Sequence, residues 1–77
     1  MSATPAADHA PPVSHPRHPL PALATFELAG YRRQLEDAIG YYQREHPAAA
    51  ALAGLRDRLA EVTAEQDDRT RIAARNA

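Results

Sequence analysis

The chain has 77 residues and a formal net charge of −1, with nine basic side chains against ten acidic, so it offers one small domain and no global field to draw it onto nucleic acid or an anionic membrane. The absence of cysteine excludes disulfides, thiolate zinc centres and cysteine nucleophiles, and agrees with a reducing compartment. A core this small supplies roughly 3–5 kcal/mol by itself, so oligomerisation or docking onto a larger protein is the expected route to further stability.

The first 21 residues hold six of the seven prolines (Pro5, Pro11, Pro12, Pro16, Pro19 and Pro21), with Met1, Val13 and Leu20 as their sizeable apolar side chains. Such a segment cannot bury enough surface to offset its ordering entropy, and residues 1–21 read as a disordered arm of polyproline character. Leu20, Leu23 and Phe26 are the candidates for packing its end back onto the remainder as a staple. The arm lacks the basic start and unbroken apolar core of a secretory signal. The longest stretch without charge or proline, Ala48 to Leu55, is too short to span a bilayer, and a cytoplasmic protein is expected.

Asp8, His9, His15 and His18 fall within eleven residues of this arm, and imidazole is a good ligand for zinc, copper or nickel. The "HPRH" spacing matches no established metal motif, and ordering a mobile arm around an ion costs entropy. A solvated arm without a metal site is the expectation.

From Ala22 the periodicity becomes helical. Ala24, Leu28, Tyr31, Leu35, Ala38 and Tyr42 are spaced alternately by four and three, Ile39 widens the stripe and Tyr41 borders it, which predicts a helix over about 23–45. Thr25 is a candidate N-cap, although Pro21 suits the first turn of a helix that begins earlier. The three tyrosines beside Arg32, Arg33 and Arg44 would suit base stacking and phosphate contact. Tyr31 and Tyr42 lie on the apolar stripe, however, and Glu36, Asp37 and Glu45 dilute the positive face, so core packing is favoured and Tyr41 is left as an aromatic contact to another chain.

The stretch "GYYQREHPAAAALAG" decides between one kinked helix and two. Pro47 disfavours helical geometry at His46 and fits the first turn of a new helix, so a turn near 46–47 between two antiparallel helices is predicted. The alternative ends the first helix at Gly40 and makes "YYQREHP" a loop. Glu45 and His46 do not make an acid–base pair, because neighbours on a helix diverge and no nucleophile or oxyanion donor accompanies them.

The second helix is predicted over about 48–75. Ala48, Leu52, Leu55, Leu59 and Val62 form its stripe, and the same register continues through the polar Gln66 and Arg69 to Ala73. The helix is extended by Glu65 with Arg69 and by Asp67 with Arg71, and its terminal arginines suit the negative end of the dipole. Gly30, Gly40 and Gly54 all fall off the stripes, each costing about 1 kcal/mol against alanine in a helix interior.

The expected fold is therefore all-α: an antiparallel, coiled-coil-like two-helix hairpin in which Ala38 meets Leu52, Leu35 meets Leu55, Tyr31 meets Leu59 and Leu28 meets Val62. Residues from Gln66 to Ala77 would project past the first helix, which would account for the polar Gln66 and Arg69 at seam positions and make Asp67, Asp68, Arg69 and Arg71 a candidate polar contact surface. The hairpin alone would leave its seam partly wet at Ile39, Tyr41, Leu52, Leu55 and Leu59. Leu28, Tyr31, Leu35, Ile39, Tyr41, Tyr42, Leu52, Leu55, Leu59 and Val62 are thus expected to form a seam closed by self-association or by a larger protein. This pattern points to a non-enzymatic interaction, regulatory or adaptor protein without catalytic, cofactor or metal residues. The alternatives are a nucleic-acid-associated regulator using the arginine-rich helix faces and a subunit of a composite enzyme. Salt dependence separates phosphate binding from an apolar seam.

Overall fold

A computed structural model of the chain describes residues 10–76. Helix α1 spans Thr25–Glu45 and helix α2 spans Ala51–Asn76, preceded by a single 3-10 turn at Leu20–Ala22. The described residues contain no strand. The two helices run side by side in opposite directions, tied by Arg58 to Tyr31 and by Arg32 to Gln66. The regular structure of the described residues is all-helical and built on two α-helices.

Helix α1 begins at Thr25 because the residues before it are spent otherwise. Leu23 and Ala24 are extended, at ψ of 144° and 157°, which drops the Leu23 side chain into the core. Ala24 is the N-cap and has no side-chain acceptor to offer, so the cap is made from the other direction: the Ala24 amide donates to Oε1 of Glu27 at 2.8 Å. That is half of a capping box, with a carboxylate placed at the positive end of the helix dipole. Thr25, the residue expected to cap, is instead the first helical residue.

The helix then runs unbroken through Gly40, at negative φ like the other glycines, and stops at His46. Pro47 sits inside a turn closed by the Ala49 amide on the His46 carbonyl at 2.9 Å, the second position of a turn being one that proline's fixed φ favours. The connection is therefore longer than the predicted reversal at 46–47. Residues 47–50 are used to step from one helix axis to the other, and α2 starts at Ala51 rather than near residue 48.

The core is Leu20, Leu23, Leu28, Tyr31, Leu35 and Val62, with Val13, Leu55 and Leu59 packed against it. Leu28, Leu35 and Val62 are fully buried. Toward the turn, Ala38, Ile39, Tyr41 and Leu52 are buried as well. Three of these core residues come from before α1, which departs from the disordered arm expected over residues 1–21. From Ala10 onward the arm lies along the helix pair, while residues 1–9 of the expected arm lie outside the described residues. Averaging composition over the arm underrates it, because Val13, Leu20 and Leu23 need only three sockets on a seam that is otherwise uncovered. Phe26, the third expected staple residue, is 77% exposed. It sits two residues before Leu28, about 200° around the helix from the core.

Truncating Leu35 to alanine should destabilise the fold by about 2–5 kcal/mol, since its cavity would lie at the contact of both helices. Gly54→Ala should stabilise it by about 1 kcal/mol, because a methyl group there meets no atom within 4 Å. Urea unfolding followed by circular dichroism reads both; a Leu35→Ala cost below the effect of Gly54→Ala would mean the core is wrongly placed.

Candidate interaction seam

The arm lies in the apolar seam between α1 and α2. It enters beside the turn, where Ala10, Pro11 and Val13 line a groove of about 370 Å³ with Tyr42, Leu55 and Arg58. It leaves at the opposite end, where Leu20 and Leu23 are buried against the first turns of α1. The segment thus runs antiparallel to α1 and completes a third layer along the helix pair.

An extended segment has no ladder to satisfy its backbone, so its bonds come from side chains of the two helices. The Ser14 amide donates to Oε1 of Gln34 at 2.7 Å. Nδ1 of His15 is 2.7 Å from the Tyr31 hydroxyl, with the rings edge-on at 5.7 Å. Nε of Arg58 lies 2.9 Å from the same hydroxyl, and its guanidinium carbon lies 5.5 Å from the Tyr31 ring centre. A guanidinium only donates, so the Tyr31 oxygen accepts from Arg58 and its own hydrogen is free for Nδ1 of His15. The hydrogen bonds to Tyr31, and then to Glu61, hold the Arg58 guanidinium above its ordinary value. Its charge is constant across the accessible pH range, and the direction of this chain of bonds is set by it.

Arg69 fixes the other end. Its Nε is 2.8 Å from Oε2 of Glu65, and its Nη2 reaches the carbonyl oxygens of Leu23 at 2.8 Å and Leu20 at 3.1 Å, with Pro21 more distant at 3.4 Å. Bonds from an ionised donor are the stronger kind. One side chain therefore holds the 3-10 turn through its backbone, without requiring any particular side chain there.

The ten predicted seam residues are all within the chain's own packing. Leu28, Tyr31, Leu35, Ile39, Tyr41, Leu52 and Val62 are buried, and Tyr42, Leu55 and Leu59 are half-buried. Ile39, Tyr41 and Leu52 were expected to stay partly wet in a lone hairpin; they do not. Tyr41, expected as a contact to another chain, is only 8% exposed. It packs edge-on to Tyr42 at 5.3 Å with the His46 ring beside both, because α1 continues to Glu45 and brings His46 back over the tyrosines.

The expected polar surface divides in the same way. Asp67 and Asp68 are exposed, and Asp68 pairs with Arg71. Arg69 is spent on the arm, and Gln66 accepts from Nη1 of Arg32 at 2.7 Å. These polar residues hold seam positions because the arm and α1 use them there, so the projecting part of α2 starts later than the sequence suggested. The residues that sequence reasoning missed are Val13, Ser14, His15, Gln34 and Arg58. Their signal was indirect: a polar side chain, Arg69, in an apolar register, which in the sequence reads as α2 projecting past α1.

Of the histidine cluster in the arm, Asp8 and His9 lie outside the described residues, His15 is engaged with Tyr31 and His18 is exposed. No group of three metal-ligating side chains is gathered among the described residues, nor is any helix there long and apolar enough to cross a membrane. No known protein family, characterised protein or solved structure matches the chain.

Replacing Arg69 by methionine keeps the apolar stem and removes the guanidinium. The amides of Ala22 and Leu23, which bond to Pro19 and Leu20, should then exchange with solvent at least tenfold faster while the α1 amides around Leu35 keep their protection. Equal loss at both places in a hydrogen-exchange experiment would show that the clamp has no local role.

Proposed function

We propose that this chain is a small non-enzymatic interaction protein whose α1–α2 seam receives an extended apolar segment of a partner protein. The reading rests on the seam's present occupant. The chain's own arm seats Val13 and Leu23 there from non-helical backbone and Leu20 from a single 3-10 turn, in a proline-punctuated segment, which supports that class of ligand. Proline-rich segments are pre-ordered ligands that lose little entropy on docking. Attachment of the arm by a few side-chain bonds leaves it exchangeable, and a partner segment of the same pattern would take its place. In this role the arm shields an apolar surface that would otherwise promote aggregation.

A labelled peptide carrying residues 10–24 provides the test, offered to the wild-type chain and to the full-length double variant Leu20→Asp, Leu23→Asp. The wild type should bind it weakly, the variant at least tenfold more tightly, and salt should have little influence because burial of apolar surface carries the contact. A variant that stays helical yet ignores the peptide would defeat the proposal. Steeply salt-dependent binding of an oligonucleotide by the wild type would instead favour the arginine faces and a nucleic-acid role.

A further inference from the structure

The side of α1 turned away from the seam has a pattern of its own. Phe26, Gly30, Arg33, Asp37, Gly40 and Arg44 follow one another at intervals of four and three, so at 100° per residue they share a stripe about 80° wide, opposite Leu28, Tyr31, Leu35, Ala38 and Ile39 and bordered by the buried Tyr41. Five of the six are exposed and Gly40 is half-buried. Phe26, at 77%, is the most exposed of the large apolar side chains. Among the described residues, ion pairs join Arg32 to Glu36, Arg58 to Glu61, Glu65 to Arg69 and Asp68 to Arg71. Arg33 and Asp37 belong to none of them.

The order of these six residues is palindromic in chemistry about residue 35. Laid antiparallel against a second copy, Gly30 falls opposite Gly40, Arg33 opposite Asp37 and Phe26 opposite Arg44, each pairing occurring twice. This is the self-complementarity that a two-fold interface requires. The pairings also fall in the layers that an antiparallel heptad seam makes. Nothing inside the chain demands either glycine: both have negative φ, and a Cβ at Gly30 would meet no atom within 4 Å. At Gly40 it would meet only Nη1 of Arg44, at 3.3 Å, the tip of a flexible side chain. Two helix-weakening glycines on an exposed face let two backbones approach closely.

We propose that this outer face of α1 is a homodimer interface, with a second copy of the chain packed antiparallel across Gly30 and Gly40. The opposed Arg33 and Asp37 set the register. Arg44 turns from Gly40 to the ring of the partner's Phe26, where a guanidinium is attracted by the aromatic face. The contact runs about 27 Å along α1 at 1.5 Å per residue. None of its six residues bonds to the described part of the arm or belongs to the seam.

Sedimentation of the full chain over a hundredfold concentration range reaching about 1 mM should show a monomer–dimer equilibrium. Arg33→Asp or Asp37→Arg alone places like charges opposite each other, and each should weaken the dimer at least tenfold with helix content unchanged. An equimolar mixture of the two variants should restore association, since each then meets its complement. Gly30→Leu should raise the melting temperature of the monomer yet abolish the dimer. A chain that stays monomeric throughout overturns the proposal. So does a dimer indifferent to both charge changes, which would place self-association in the seam or in exchanged arms, or a mixture that fails to recover.

Discussion

Two antiparallel helices share one line of contact, but the apolar stripes here are broader than that line, because Ile39 widens one and Leu55 and Leu59 of the other stay only half-buried beside Val62. A third segment is needed to cover the remainder, and the arm is the only part of the described chain placed to do so. That segment has no helix or sheet of its own to take up its carbonyls, so its position depends on donors that the helices send out to it. Arg69 is the chief of these. Its contacts with the Leu20 and Leu23 carbonyls hold the 3-10 turn where both leucines reach the core, and the start of α1 follows from where that turn ends.

The demand for such a donor explains the chemistry of the second half of α2. A wholly apolar register would offer the turn's part-buried carbonyls no donor from α2, and an acceptor that gives up water without gaining a partner is costly. Arginine meets both requirements: its stem lies along the seam and its planar head carries several donors on one side. Glu65, one turn back, orients it from Nε and leaves Nη2 for the arm. Among the described residues no polar or charged side chain is buried outright, so these bonds are made at the edge of the core, where water still reaches the charges and their desolvation is cheap.

The two stripes were legible because each repeats five or six times, and a repeat of that length outweighs any single exception. Gly40 and Pro47 show the limit of that method. Glycine lowers helix propensity by an amount that the packing of Leu35, Ala38 and Ile39 around it exceeds, so the helix continues. Proline marked the break correctly, but which residue resumes the helix depended on the spacing between the two axes, a distance that no local signal carries. The arm was read as disordered for a related reason. Its value lies in three side chains meeting a surface formed by residues up to about fifty positions later, and composition summed along the chain has no access to that meeting. The ten seam residues are packed within the chain, and the arm's share in covering them is the part that periodicity along the helices did not carry.

Helix α1 consequently bears two heptad lines half a turn out of phase, and they differ in what holds them. The inner line, through Leu28, Tyr31, Leu35 and Ala38, is closed by burial of apolar surface, which salt scarcely alters. The outer line, through Gly30, Arg33, Asp37 and Gly40, offers little apolar area beyond Phe26 and depends on the opposition of charges and on close approach. Exposed charges of this kind are screened once salt shortens the Debye length below their separation from the partner. In the dimer proposed above, the inner line therefore governs whether each copy is folded and the outer line whether two copies pair, so ionic strength would act on the second without disturbing the first.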